Sequence, residues 1–332
     1  MGQLINDCQY GIKLFTVSGN VQTVSWMKNV SIIELHFNLG LKAPASGKEP
    51  GVRGLPEWLR QHHFHQRIAP ENIQTLRAPA YQMLMDAASG VLNADAIVRY
   101  AKEQAILLSG VLAADTFPLV IGGDCSIMVG SALSLKQRGD YALFYLDGHT
   151  DFIWPESSET KAAGGMAAAL AAGLGPDKLT NIQGLAPYIK EEYVWCVGNR
   201  EYDEEYERTI KNAKAKYIDL DSLRALGINN CVNTFLEMVN TQGLDGFWIH
   251  VDVDVLDDDI MPAVDSRTPG GLSYKEFDQL LRLLLCSPKA SGLEITILDP
   301  DLDASGAYTK DFVDHFVSTF NHARKTIASS RS

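Results

Sequence analysis

Gly246-Phe-Trp-Ile-His-Val-Asp-Val-Asp-Val255 is the stretch that decides the fold. It is an almost continuous apolar and β-branched run, broken before Asp252 only by His250, the pattern of a strand covered on both faces. Such strands belong to parallel sheets, and shorter runs of the same kind recur at residues 30–35, 118–121, 142–146, 193–197, 217–220 and 291–297. Between them lie helix-like stretches at residues 94–112, 165–172, 204–213, 230–240 and 273–285. Strands alternating with helices predict an α/β fold of three layers, α/β/α, around a mostly parallel central sheet. In such sheets ligands gather beyond the carboxyl ends of the strands, where the polar clusters of this chain fall.

At 332 residues and 46% hydrophobic content the chain can bury a substantial core. Its formal charge of −12 argues against a nucleic-acid or anionic-membrane surface, since phosphate neutralisation needs clustered Lys and Arg. No apolar run approaches the ~20 residues of a membrane span. Five scattered cysteines, an odd number without a CxxC pair, fit a reducing compartment, so the cytoplasm is expected. Residues 1–26 lack the layout of a secretory signal and precede a second methionine; they read as an N-terminal appendage or disordered leader. With no Pro/Gly/Ser-rich linker and no repeat, residues 27–332 read as one catalytic domain.

Three blocks carry the chemistry. Asp147-Gly-His-Thr-Asp151 follows the strand at 142–146 and sets a carboxylate, an imidazole and a carboxylate at i, i+2 and i+4. On an extended segment these share a face, and could converge on a divalent cation; the alternative is an Asx-rich turn. Asp252 and Asp254 repeat the two-residue spacing inside the buried run, where each ionised group costs several kcal/mol unless a cation or donors meet it. In Gly122-Gly-Asp-Cys-Ser126 the glycines permit a tight turn. Asp124 reads equally as a cap or a ligand, and Cys125 as a metal thiolate or a small buried residue.

Taken in order, Gly122-Gly-Asp-Cys-Ser126, Asp147-Gly-His-Thr-Asp151, His250-Val-Asp-Val-Asp254, Pro262 and Pro269-Gly-Gly-Leu272 resemble the signature blocks of the ureohydrolase family of arginases, agmatinases and formiminoglutamases, over roughly residues 33–300. The resemblance implies an arginase-like fold and a pair of Mn²⁺ ions at the strand ends. Asp147 and Asp252 would bridge both ions, His149 and Asp254 would complete one site, and Asp151 with Cys125 the other. Water activated there would attack a guanidinium carbon, with Asp151 catalytic. The resemblance also assigns Glu294 to the guanidinium as a bidentate partner. A small guanidino or amidino substrate and a homo-oligomer follow from the same likeness.

The chain departs from the family pattern at three places. Histidine is usual where Cys125 stands, and a softer thiolate opens the site to Zn²⁺ or Fe²⁺, or to a single ion. The stretch matching a proton-shuttling histidine reads Ala162-Ala-Gly-Gly-Met-Ala167, leaving His250 as a substitute; the alternative is a structural histidine. Phe152 and Ile153 stand where arginases place an asparagine that reads the α-carboxylate, which counts against free L-arginine, and the likeness of Cys125 to arginase-like enzymes acting on modified arginines makes a modified guanidine worth testing. Candidate selectivity groups are Asn199, Arg200, Glu201, Asp203, Asp265, Ser266 and Arg267, the arginines for a carboxylate and the acids for an amine. His62, His63 and His65 read as a polar helix end rather than a metal tract, and Gly122-Gly123 lacks the GK[ST] of a phosphate loop. The alternatives to an amidinohydrolase are an arginase-like pseudoenzyme with an impaired metal site and, more remotely, a deacetylase-type hydrolase.

Overall fold

The computed structural model describes residues 27, 29–44 and 47–329, so the leader expected at residues 1–26 lies outside the described residues. Eight parallel strands form one sheet: β1 Val30–His36, β2 Asn72–Arg77, β3 Phe117–Ile121, β4 Tyr141–Leu146, β5 Val194–Asn199, β6 Lys216–Asp219, β7 Gly246–Asp252 and β8 Ala290–Thr296. Their order across the sheet is β2-β1-β3-β8-β7-β4-β5-β6. The run that begins at Gly246 is central, paired through Trp248↔Leu143 to β4 and Ile249↔Leu293 to β8, and every residue of β7 is buried. Burial on both faces is what its unbroken apolar pattern requires.

Right-handed crossovers decide which face each helix covers. Steps in one direction across the sheet carry α3 Ala94–Ala113, α4 Met128–Lys136 and α5 Ala167–Ala171 to one face. Steps in the other direction carry α1 Leu55–Gln61, α2 Phe64–Ile68, α8 Leu220–Leu226, α9 Ile228–Thr241 and α10 Tyr274–Leu285 to the opposite face, where α11 Ala307–Ser329 packs on α10 and α2. Helix α10 begins with a reciprocal capping box in which Ser273 and Glu276 satisfy each other's backbone N–H, a start visible in the sequence.

The expected strands are all present, and β2 is an addition. Asn-Ile-Gln-Thr-Leu-Arg is an edge strand with no buried residue, so it never shows the apolar run that marks the others. The helix expected at 165–172 is shorter, because a 3-10 turn at Gly164–Met166 precedes α5. Among the three histidines, His62 and His63 occupy the α1–α2 junction, as a polar helix end should. His65 departs from that reading: it is buried, with Nε2 3.0 Å from Glu34.

Glu34 on β1 ties the edge of the sheet together. Its side chain is 4% exposed, and its oxygens accept from Arg60 Nη2 at 2.5 Å and Thr75 Oγ1 at 2.7 Å. Burial alone would raise its pKa, but the bonds from His65, Thr75 and Arg60 outweigh it and hold the carboxyl near 2, below the ordinary 4.5. The stabilisation is therefore present above pH 4.5 and lost as pH falls toward 2. Glu34→Ala is expected to cost about 2 kcal/mol in urea unfolding at pH 7, with the gap to the parent closing below pH 4.5; a pH-independent gap would contradict this role.

Candidate metal centre

Four adjacent strands, β3, β8, β7 and β4, end beside one another, and each delivers side chains to one buried space. After β3 the chain turns at Gly122-Gly123, where a Cβ on Gly123 would lie 1.5 Å from the carbonyl oxygen of Phe37, so only glycine fits. Asp124 is the cap of this turn: Oδ1 accepts from Ser126 N at 2.9 Å and Ser126 Oγ at 2.5 Å, and Oδ2 from Gly40 N at 2.9 Å. With both oxygens engaged it positions Cys125, whose buried thiol points at Asp252 Oδ2, 2.8 Å away, and lies 3.4 Å from Thr296 Oγ1.

The Asp147–Asp151 segment is a loop beyond β4. Asp147 Oδ1 accepts from His149 N at 2.5 Å, while Oδ2 is buried without a hydrogen-bond partner. His149 Nδ1 meets Asp254 Oδ2 at 2.8 Å and Nε2 meets Thr268 Oγ1 at 3.2 Å. Asp151 adopts φ +45°, a left-handed backbone that turns it back under the strand, and its Oδ2 accepts from Tyr145 OH at 2.6 Å. The run expected to continue as strand to Val255 ends at Asp252, because that side chain accepts from Asp254 N at 2.8 Å and starts a 3-10 turn at Val253–Val255. Asp252 and Asp254 flank the same space through this cap rather than through strand alternation.

Two sets of donor atoms result, each within 4.8 Å of one another: Cys125, Asp147, His250 and Asp252; and Asp147, His149 and Asp254. Asp147 is common to both, and Asp151, expected as a ligand, belongs to neither, its Oδ2 being held by Tyr145. Burial drives the Asp147 and Asp252 carboxyls well above the usual range, and their acidic neighbours add to the rise. Burial likewise lifts Asp151 to about 7, against the pull of the Tyr145 bond. Burial would lower His149, but Asp254 wins and holds it near 9; the Cys125 thiol is pushed well up by burial and by Asp252, Asp151 and Asp147. These shifts express one fact: the space gathers more negative charge than its protein cations offset. The orphan Asp147 Oδ2 and a donor set of carboxylate, imidazole and thiol fit divalent cations.

The predicted selectivity groups divide. Glu201 accepts from Thr150 N at 3.3 Å and acts electrostatically on Asp151 and His149; Asp265, exposed with Ser266, is close enough to feel Asp254 and His149. Asn199 is a correction: fully buried, it donates from Nδ2 to the carbonyls of Asp147 (2.8 Å) and His149. Arg200 is another, because its guanidinium donates to the carbonyls of Asp254 (2.7 Å) and Thr268 (2.9 Å) and packs on Gly148, where a Cβ would lie 2.7 Å from Nη1. These two residues pin the loops that carry the donor atoms, although Arg200 Nη1, beside Gly148, is left without a partner. Asp203 caps helix α7 (Glu204–Lys211), and Arg267 pairs with Asp258 at 2.7 Å in solvent, so neither is directed at the donors. Glu294 corrects the expected guanidinium contact: it is 0% exposed, its Oε1 is 2.6 Å from His250 Nδ1 and its Oε2 accepts from Ser131 Oγ at 2.6 Å.

Tyr145, Thr268, Ser131 and Thr296 were not predicted. Thr268 sits one residue past the loop group singled out in the sequence, and Tyr145 lies inside an apolar strand, so only tertiary pairing reveals their roles. Gly165, in the stretch without a histidine, would put a Cβ 4.0 Å from Asp151 Oδ1, so that stretch does border the site and brings no titratable side chain to it.

The arginase family model matches residues 29–321. The arginase of Staphylococcus aureus (strain COL) is 30% identical over 232 residues, 70% of this chain and 76% of that protein. The arginase of Bacillus subtilis (strain 168) is 26% identical over 293 residues, 86% and 96% of the two chains. Among solved structures, Bacillus caldovelox arginase superposes with a TM-score of 0.78 at 26% identity, over 89% of this chain and 98% of that one.

Without a cation, Asp151 is best accommodated neutral; that contribution is present below its ordinary 3.8 and is gone once pH rises past about 7. Divalent ions need the ionised forms of Asp147 and Asp252 and favour that of Asp151 beside them, so their binding should release protons and tighten as pH rises through about 7. Calorimetric titration with Mn²⁺ or Zn²⁺ between pH 6 and 8, in buffers of differing ionisation heat, reads both effects. Asp147→Asn is expected to abolish binding, since Asp147 belongs to both donor sets; pH-independent binding would contradict the assignment of Asp151.

Proposed function

Since the chain belongs to the arginase family, we propose that this hydrolase cleaves a C–N bond of a small guanidino or formimino compound, with divalent ions held by Cys125, Asp147, His149, Asp252 and Asp254 from the two donor sets and Asp151, on family likeness, beside them. The observation that carries the reading is the pair of donor sets sharing Asp147, whose second oxygen has no partner in the protein. Bound ions would lower the pKa of a water between them and offset the charge that develops at the attacked carbon.

The residues supply the rest. Tyr145 holds Asp151 Oδ2, which leaves Oδ1 to take the proton of the attacking water and return it to the departing nitrogen. His149 is kept in one orientation by Thr268 on Nε2. Arg200 and Asn199 fix the loops that carry Asp147, His149 and Asp254, so the donors are held in place before a substrate arrives.

Charge at the mouth supports a substrate whose far end is neutral or cationic. Arg200 is held to backbone carbonyls through Nε and Nη2 and Arg267 pairs with Asp258, while Glu201 and Asp265 lie near His149. Phe152 and Ile153 are buried and offer no polar reader for an α-carboxylate. The exposed ring of Tyr202 lies 6.2 Å from His149 and edge-on to it. The reading includes a cytoplasmic enzyme, supported by the unbridged Cys125, Cys196, Cys231 and Cys286, and a homo-oligomer on family likeness alone.

Release of urea or an analogous amide from agmatine, guanidinobutyrate, L-arginine, hydroxyarginine and formiminoglutamate tests the proposal. Turnover should require added divalent metal, favour an amine-tailed guanidine such as agmatine over L-arginine, and fall to background in Asp151→Asn. Glu201→Gln should raise KM for agmatine by about 2–10-fold, the loss of one partly exposed charge contact, with little change in kcat. A metal-loaded protein that turns over none of these substrates would return the pseudoenzyme.

A further inference from the structure

His250 is the member of the first donor set that the sequence did not offer as a ligand. It is fully buried on β7, with Glu294 opposite it on β8. Glu294 Oε1 is 2.6 Å from His250 Nδ1, and Ser131 Oγ from α4 donates to Oε2 at 2.6 Å, so the carboxylate is held at both oxygens. The ring of Tyr145 stacks on the imidazole at 4.0 Å with planes 2° apart. These contacts leave Nε2 turned toward Thr296 Oγ1 at 3.3 Å, the same hydroxyl that lies 3.4 Å from Cys125 Sγ.

We propose that His250 is a metal ligand through Nε2, binding the ion on the Cys125 side together with Asp147 and Asp252, and that Glu294 is the positioning residue that fixes its tautomer and aim. A carboxylate on the non-ligating ring nitrogen is the usual support of a metal-bound histidine, because it keeps the proton on Nδ1 and the lone pair on Nε2. A buried histidine–glutamate pair is costly in a sheet core, and a cation at Nε2 gives the cost a purpose that packing alone does not. The imidazole and thiol lie 3.3 and 3.4 Å from one hydroxyl and arrive from different strands, which makes a mixed N,S,O set. That set favours Zn²⁺, Fe²⁺ or Co²⁺ over Mn²⁺ on this side, whereas the His149 and Asp254 side keeps the harder character. A proton-carrying role for His250 is poorly served, because neither ring nitrogen reaches solvent.

The inference rests on the reading that divalent ions bind here, and the test separates the two. The full chain is titrated with Co²⁺ and its visible and near-ultraviolet spectra are recorded for the parent, Cys125→Ser, His250→Asn, Glu294→Gln and His149→Asn, with circular dichroism as the check on folding. The parent should show a thiolate-to-cobalt band that Cys125→Ser removes. His250→Asn should keep the band, shift the d–d bands and weaken that ion by at least the ~10–100-fold expected for Glu294→Gln; His149→Asn should leave the thiolate band in place. In parallel, the parent labelled with ¹⁵N-histidine and loaded with Zn²⁺ should show two perturbed imidazoles, one through Nε2, a measurement that needs no variant to fold. A folded His250→Asn protein with parent affinity and spectrum, or a single perturbed imidazole, would overturn the assignment while leaving the metal site standing. Absence of any cobalt binding by the parent would overturn the metal reading and this inference with it.

Discussion

Four aspartates converge where β3, β8, β7 and β4 end, and the structure around them is organised by the problem of their charge. Asp147, Asp151, Asp252 and Asp254 are held in a space that burial and mutual repulsion make hostile to ionised carboxylates. Among them only Asp254 is drawn below its ordinary range: burial opposes ionisation there, and the adjacent His149 outweighs it. The remaining excess calls for cations, and the nearest arginine, Arg200, is turned to backbone carbonyls instead. A site that can neither ionise comfortably nor be neutralised by its own protein is one whose fold is coupled to what it binds.

The two sides of this site use different devices. On one side His149 comes from the loop after β4 and is braced by Thr268, with Gly148 letting Arg200 and the Asp254 backbone approach closely. On the other, Cys125 arrives from a glycine turn capped by Asp124, opposite a histidine embedded in the sheet. Tyr145 joins the sides, stacking on His250 and donating to Asp151. An alteration on one side would therefore be felt on the other through Tyr145 and Asp147.

The sheet was largely legible in the sequence because buried parallel strands announce themselves by apolar runs, as six of the eight do; the edge strand β6, with only Ile218 buried, was marked by the short run at 217–220. Strand β2 was not, since an exposed edge strand carries polar residues like any loop. The aspartates, His149 and Cys125 were legible as motifs. What could not be read was direction: Asn199, Arg200 and Glu294 look like binding residues in the sequence, yet each is fixed by a partner far along the chain, at Asp147, Asp254 and Ser131. Those separations, 52, 54 and 163 positions, are set by the crossover order of the strands, which leaves no local trace.

Diffraction from crystals soaked in Co²⁺ or Zn²⁺, with data collected at that metal's absorption edge, tests the central claim most directly. Two anomalous peaks are predicted on either side of Asp147, one bordered by Cys125 and His250 and the other by His149 and Asp254. No peak within ligating distance of Asp147 would contradict the account.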